Sequence, residues 1–386
     1  MYKAYKTQLD PNNEQAQYFA QCAGTARYVY NWALADRKAT FEQGGKPNMY
    51  EQKKRFNALK DELCPWIREM PYTVMENAFR NLDTAYQNFF RRIKNGQGGK
   101  DAGFPKFKRR GTGGSFTLRG SIRIENRHIK LPRMGLTRLM EASYLPIDQK
   151  ISSATISKRA GRWFVSVLAK DNTEATVAEA PFVIGVDVGS LTLATLSTGE
   201  VVENPRALRA AMRKLKRLSR EKDRRTKGGQ NRAKTIEKIG RAHYQVANQR
   251  KAAHAQVVKA IFDNKPSVVV VEDLNTKGMA KNHHLALSVA DASFGMLIAA
   301  IEQAAQKHGA EFVKADRWFP SSKLCSRCKH KHAALSLGDR TYHCSECGLE
   351  IDRDLNAAIN LAAYYQSEPA SGGGLPGELG CSNDLL

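Results

Sequence analysis

Negative charge is what this sequence has least of. Against 61 Lys and Arg it carries 38 Asp and Glu, a formal charge of +23 over 386 residues. A surplus that large points to a polyanionic partner, because neutralising phosphates and releasing their counterions rewards it. A generally basic protein of ribosomal type carries similar charge, so charge alone leaves both readings open. Long apolar runs are missing too. None approaches a membrane span, and the start MYKAYKTQLDP has no signal-peptide core, so no membrane partner is expected. Cysteine is sparse and odd in number, at seven. Four lie in CxxC pairs and Cys22, Cys64 and Cys381 are scattered, which argues against a disulfide framework and for a reducing cytoplasm. The scattered three read as buried or incidental thiols. A hydrophobic fraction of 42% with 13 prolines fits a globular chain long enough for two or three domains.

What the sequence does have is concentrated in its last third. Cys325-x2-Cys328, fifteen residues, and Cys344-x2-Cys347 have the spacing of two knuckles bringing four thiolates to one tetrahedral zinc ion. Four protein ligands leave no open position, so one structural zinc is expected. Asp352-Arg353-Asp354-Leu355-Asn356-Ala357-Ala358 follows at once, where a helix should begin.

Upstream, residues 2–9 read as a strand stopped at Asp10-Pro11. A helical pattern follows from about Asn12, with Phe19, Cys22, Ala26, Val29 and Ala33 at spacings of three and four. A second helix is expected over Tyr72 to Lys94. The segment 91–110 then holds eight Lys/Arg against Asp101 alone, with Phe104 and Phe107 among the charges. Aromatics among cations suit a nucleic-acid strand, which offers bases to stack on and phosphates to pair with; the plainer reading is a solvated loop pinned by two phenylalanines. Arg91, Arg92, Phe104, Lys106, Phe107, Lys108, Arg109 and Arg110 are the candidate contacts. From 115 to 170 the pattern is strand-rich, with a hairpin turning at Arg159-Ala160-Gly161, and suggests a small barrel or sandwich completed by the N-terminal strand. Asp171 to Pro181 reads as a linker.

Beyond it, two strands over 182–197 and a third near 200–203 precede a basic helical segment, 206–251, with seventeen Lys/Arg against three acids. Arg213, Lys214, Lys216, Arg217, Arg220, Arg224 and Arg225 are its candidate contacts, and Gly228-Gly229 should break it in two. A strand over 267–272, a helix near 294–308, a strand at Glu311–Ala315 and a last helix from Asp354 to Gln366 complete the order of an RNase H-like α/β domain. Three acids stand at informative places in it. Asp187 interrupts an apolar strand and points to the face opposite Val186 and Val188. Glu272 ends the run Val268–Val271 at a strand's C-terminal end, where α/β ligand sites gather. Asp354 opens the last helix and could be an ordinary N-cap. Taken together, three such carboxylates form a centre for two hard cations, Mg²⁺ or Mn²⁺, of the kind that hydrolyses phosphodiesters.

Gly185-Val-Asp187-Val-Gly189, Val271-Glu272-Asp273-Leu274 and the CxxC–CxxC–DRDxNAAxN run resemble the TnpB family, transposon-encoded RNA-guided DNA endonucleases related to type V CRISPR effectors. The resemblance extends to Tyr5–Pro11, Ala26–Asn31, Asn81 through Phe90 and Gly103–Phe107. It implies α/β, all-β and helical parts: a wedge β-barrel (1–11 and 113–178) carrying a helical recognition lobe (12–112), and a RuvC nuclease domain (182–320 and 351–366). A zinc-finger target-strand loading element (321–350) and a disordered tail (367–386) complete the division. It makes Asp187, Glu272 and Asp354, rather than Asp352, the catalytic triad. Arg340 matches an arginine that would contact the scissile phosphate. Lys329 stands after the first CxxC where the family commonly has glycine, which bears on that knuckle's turn. A monomer is expected, with a guide RNA and a double-stranded DNA target; the guide rests on the resemblance alone. The rival readings are a catalytically silent guided repressor, an RNA-independent RuvC-type resolvase and a DDE-type transposase.

Overall fold

The computed structural model of the protein describes residues 2–111, 113–141, 144–145, 147, 149–170, 182–332, 335 and 338–367. The expected linker over 171–181, the tail from 368 onward and Cys381 lie outside the described residues. The chain divides into two compact units, Met1–Thr173 and Glu174–Leu386.

In the first unit, strand β1 (Tyr2–Asp10) ends at Pro11, and helix α1 (Asn13–Glu42) opens on a capping box. The Asn12 side chain accepts the Gln15 N–H at 2.8 Å while the Gln15 side chain accepts the Asn12 N–H at 3.2 Å, so two otherwise orphaned donors are satisfied. Helix α2 (Met49–Leu63) has no counterpart among the elements expected from periodicity. Helix α3 (Tyr72–Lys94) has the range its apolar stripe predicts. The three helices bury Val29, Leu34, Phe56, Phe79 and Leu82 between them, together with Cys64.

The remaining strands are β2 (Ser115–Leu118), β3 (Arg123–Glu125), β4 (His128–Leu131), β5 (Gly135–Leu139), β6 (Ile151–Arg159) and β7 (Arg162–Lys170). They join β1 in one antiparallel sheet, ordered β2-β6-β7-β1-β5-β4-β3. The N-terminal strand therefore sits mid-sheet, paired with β7 and β5. The β6–β7 hairpin turns at Ala160 and Gly161, both left-handed at φ 51° and 78°, the geometry that matches strand twist in a two-residue loop. Phe19 and Cys22 of α1 pack into the sheet's core with Phe116, Ile156 and Trp163.

The second unit is built on a mixed five-stranded sheet ordered β10-β9-β8-β11-β12. Strands β8 (Val183–Asp187), β9 (Thr192–Leu196) and β10 (Val201–Glu203) run antiparallel in succession. Helices α4 (Ala207–Arg224) and α5 (Gln230–Asp263) follow and break at Gly228-Gly229, as the glycines predict. Strand β11 (Val268–Glu272) pairs parallel with β8, and β12 (Glu311–Ala315) parallel with β11. Between them lie α6 (Thr276–Lys281), α7 (Ala286–Ala292) and α8 (Phe294–His308). A small hairpin, β13 (Thr341–His343) and β14 (Glu350–Asp352), then leads into α9 (Arg353–Ser367).

One face of the sheet, carrying Ile184, Val186, Val269 and Val271, packs on α5 and α8 through Val257, Ile261, Leu297 and Ile301. The other, carrying Val183, Val268 and Val270, packs on Leu361 and Tyr364 of α9. Sequence alone showed no stretch of membrane-span length, yet Ala286–His308 is long and apolar enough to cross a membrane by composition. It is two helices, broken at Ser293 with φ 56°. The apolar stripe of the second, Leu297, Ile301 and Ala305, is fully buried in the core. The start of α4 has no side-chain cap of its own. Instead the buried carboxylate of Asp291 accepts the N–H groups of Leu208 and Arg209 at 2.7 and 3.0 Å.

Candidate functional site

Alternation places the three acids. Along β8, Ile184 and Val186 fill the α5/α8 face, so Val183, Gly185 and Asp187 share the α9 face. On β11, Val268 and Val270 lie on that same face, and Glu272 continues their parity. Val271 is in register with Val186 across the parallel pair, so Asp187 and Glu272 end adjacent strands on one side. Asp354 stands in the first turn of α9, which crosses that side.

How closely α9 crosses is set by Gly185. A Cβ there would lie 2.0 Å from the Ala358 carbonyl oxygen and 2.5 Å from the Ala362 nitrogen. Only glycine lets the helix backbone approach the strand this far, and Ala357 and Ala358 are correspondingly small and buried.

The helix cap is the other acid. Asp352 Oδ1 accepts the N–H groups of Asp354 and Leu355, each at 2.9 Å, which is the N-cap role. Asp354 is thereby left with its carboxylate uncommitted to capping.

The electrostatics put Asp187 in the field of the other two acids. Asp187 is pushed up to about 7, first by burial, then by the charges of Asp354 and Glu272, with Arg353 pulling the other way. Burial, then Asp273, raises Glu272. Burial and Asp352 raise Asp354, while Arg340 and Arg353 lower it. Arg340 is exposed, near enough to act on Asp354, and its carbonyl accepts the Arg353 N–H at 2.8 Å.

The four cysteine sulfurs, of Cys325, Cys328, Cys344 and Cys347, lie within 4.8 Å of one another. The two knuckles repeat one bond pattern. Lys329 N–H reaches the Cys325 carbonyl at 3.0 Å as Gly348 N–H reaches the Cys344 carbonyl at 3.1 Å. Lys329 has φ 62° against 67° for Gly348, so the first knuckle forms with lysine in a left-handed position that costs roughly 1–2 kcal/mol without glycine. The Lys329 ammonium lies 3.1 Å from Asn360 Oδ1 on α9. Backbone N–H groups of Cys347 and Glu346 lower the Cys344 thiol, toward the thiolate that a metal needs, while burial and the neighbouring sulfurs raise Cys328.

Asn356 and Asn360 belong to the DRDxNAAxN run but carry no role on the sequence alone, and they tie the finger to the acid-bearing helix. Both are fully buried. Asn356 donates to the Leu324 carbonyl at 2.7 Å and accepts the Ser326 N–H at 2.9 Å. Asn360 donates to the carbonyls of Ser321 and Leu324 at 2.9 and 2.7 Å. The legible signal was two asparagines four apart inside an apolar helix, where asparagine is a poor former.

The candidate nucleic-acid contacts separate into outward and internally engaged groups. On α4, Arg213, Lys214, Lys216, Arg217, Arg220 and Arg224 are exposed. Arg225 is half-buried, 2.6 Å from Glu221, and bonds the Asn231 carbonyl across the helical hairpin. In the first unit, Lys106, Arg109 and Arg110 are exposed. Lys108 is exposed as a residue, yet its ammonium sits 4.0 Å over the Tyr30 ring, where desolvation lowers its pKa, and its backbone is held on both sides by Asn31. Phe104 packs edge-on against Phe89 and Tyr86 at 5.1 and 5.6 Å, with the Lys38 ammonium over both Phe104 and Phe107. Arg91 bonds Asn88, and Arg92 reaches the Ala102 carbonyl at 3.5 Å. Part of this patch therefore pins its own loop, while Phe104 and Phe107 keep 42% and 49% of their surface exposed.

A family described as "Probable transposase" matches residues 165–283, a "Cas12f1-like, TNB domain" matches 294–361, and a "Helix-turn-helix domain" matches 1–46. A protein of Streptomyces pristinaespiralis named as an RNA-guided DNA endonuclease is 32% identical, covering 97% of this chain and 92% of that protein. Escherichia coli InsQ, with the same kind of name, is 28% identical over 96% of this chain and 94% of its own. The Cas12f1 chain of a solved Cas12f1–sgRNA–target DNA complex shares the fold, with TM-score 0.55 at 14% identity over 91% of this chain and 83% of that one. The Streptomyces pristinaespiralis relative, 32% identical and matched over nearly its whole length, decides the assignment: the chain belongs to the TnpB family, the OrfB-type proteins of mobile elements.

Proposed function

We propose that this chain is an RNA-guided DNA endonuclease of a mobile element, cutting with a carboxylate centre made of Asp187, Glu272 and Asp354. One observation carries the reading: the ends of β8 and β11 and the first turn of α9 turn three acids to one side of the sheet, where Asp354 and Glu272 add to burial in raising the pKa of Asp187. Uncompensated carboxylates at this density are costly unless a cation or proton neutralises them. An oxygen-only donor set suits Mg²⁺ or Mn²⁺. Two such ions, when bound, supply Lewis-acid stabilisation to the attacking and leaving oxygens of phosphodiester hydrolysis.

The chain's own residues do the rest. Asp352 fixes the start of α9, Gly185 sets its closeness, and Arg340 brings a guanidinium beside Asp354 for a phosphate oxygen. The thiolates of Cys325, Cys328, Cys344 and Cys347 fit one zinc, which would fold the finger and take no part in chemistry. In this reading the second unit is a RuvC-type nuclease domain interrupted by the finger. The first supplies a wedge sheet and helical recognition lobe. The outward cations of α4 and the 106–110 segment follow RNA and heteroduplex backbone. The enzyme works as a monomer on DNA in the cytoplasm, cutting both strands in turn at one centre.

The test is cleavage by the purified protein–RNA complex in Mg²⁺. Asp187→Ala, Glu272→Ala and Asp354→Ala should each abolish cutting of both strands while target binding persists. Sequencing the co-purified RNA should show one defined species. Cutting by Asp187→Ala at the wild-type rate sinks the mechanism.

A further inference from the structure

Strand β12 ends at Ala315, the register partner of Glu272. The chain then turns through Asp316, Arg317, Trp318 and Phe319, and both flanks of the turn are anchored. The Asp316 carboxylate accepts the Trp318 N–H at 2.7 Å, and the Asp316 N–H donates to the Tyr364 hydroxyl on α9 at 3.3 Å. Arg317 lies 2.5 Å from the carboxylate of Asp273, the neighbour of Glu272. Phe319 packs edge-on against Tyr364 at 4.9 Å. Between these fixed neighbours the Trp318 indole is 85% exposed, more than any other large hydrophobic side chain among the described residues.

A large aromatic held out in water on an anchored turn is the informative kind of exposure. One indole flanked by Asp316 and Arg317 is too small and too polar-edged for a protein partner, whose interface would cover about 800 Å² of this surface. A flat π face does match a single nucleobase, and unpaired strands are held by aromatic platforms of this kind.

We propose that Trp318 stacks on one unpaired base of the DNA strand being cut, and so sets which phosphate lies against Asp187, Glu272 and Asp354. This rests on the nuclease reading above and adds a positioning residue to it. Because the contact is to a π face, it should be indifferent to base identity but should require a base.

The experiment compares wild-type complex with Trp318→Ala and Trp318→Phe. Single-stranded DNA oligonucleotides are titrated in chelator, so that no cutting contributes. Trp318→Ala should bind about five- to a hundred-fold more weakly, with Trp318→Phe largely restored. The difference in tryptophan emission between wild type and Trp318→Phe, in a chain with four tryptophans, should be quenched as DNA binds. In Mg²⁺, an abasic nucleotide moved along the target strand should slow wild-type cutting at one position, and Trp318→Ala should lose that position's sensitivity while its cut site spreads. Melting temperature should not change, since the indole is exposed. Unchanged affinity and abasic profile in Trp318→Ala would overturn the proposal, as would emission already quenched in the RNA-bound complex before DNA is added. Failure of the nuclease reading shows separately, as cutting by Asp187→Ala, and leaves the emission titration interpretable.

Discussion

Gly185→Ala is the most demanding perturbation of the site, because it adds one methyl to a residue that touches no substrate. The added Cβ would meet two backbone atoms of α9, at 2.0 and 2.5 Å, where ordinary contact begins near 3.4 Å. A backbone cannot rotate aside as a side chain can, so α9 must retreat by roughly 1 Å or more. Overpacking of this kind costs about 1–3 kcal/mol, occasionally more. In a unit of this size that is a drop of roughly 2–4 °C in Tm per kcal/mol.

The consequence for chemistry is larger than that for folding. Asp354 rides on the first turn of α9, and a displacement of about 1 Å at a reacting centre can cost around 100-fold in rate. Cleavage of bound target should therefore slow by about two orders of magnitude, with RNA and target binding unchanged. Ile184→Ala supplies the control. It lies next door on the opposite face, against α5 and α8, and should destabilise by about 2–5 kcal/mol through a cavity. Assayed well below both melting temperatures, it should cut at close to the wild-type rate. The reasoning is refuted if Gly185→Ala cuts normally, or if Ile184→Ala loses as much activity as Gly185→Ala.

Other outcomes follow from the same geometry. Asp352→Ala should lose about 1 kcal/mol of helix capping and retain most cleavage, whereas Asp354→Ala retains none; parallel melting and cleavage assays compare them. In protein free of divalent ions, folded Asp187 keeps its proton to about pH 7, whereas an unfolded aspartate releases it near 4. The folded state binds more protons across that window, so stability should fall as pH rises from about 4 to 7 and level off above it. Asp187→Asn should raise the melting temperature at pH 8 and leave it unchanged at pH 4. Atomic emission should find about one zinc per chain. Asn360→Leu should keep that zinc, yet lower stability by about 1–3 kcal/mol through the stranded Ser321 carbonyl and slow cleavage. Reversing Arg213, Arg217 and Arg220 together should weaken nucleic-acid binding and flatten its salt dependence without changing sequence preference, read from affinity against salt concentration.

Much of this was legible in sequence where the physical cause is local. The ranges of α3 and β12 follow from an unbroken apolar stripe and from a short run just past the helix-ending Gly309. Asp187 could be assigned to a face because alternation along a strand is strict. Helix α2 escaped because it buries only Gln52 and Phe56, too thin a stripe to register as a period. Which of Asp352 and Asp354 caps α9 depends on where two amide groups point, and the acids are interchangeable on paper. The roles of Gly185, Asn356 and Asn360 depend on partners far away along the chain. A glycine in an apolar strand and asparagines in an apolar helix advertise that something approaches, but not what.

The grip of α9 on the finger has a consequence for redesign. Asn356 and Asn360 hold main-chain atoms of Ser321, Leu324 and Ser326, and main-chain atoms are the same whatever side chains they carry. Apart from the four cysteines, Lys329, Arg340 and the buried Tyr342, the finger's residues can therefore be exchanged for those of a relative, provided the knuckle keeps its course. The finger behaves as a fitting with a standard mount. A chimera that transplants residues 321–350, with Arg340 kept, beneath an unaltered α9 should seat without redesign of the acids below it, so that the finger's outer surface can be varied independently of the proposed cutting centre.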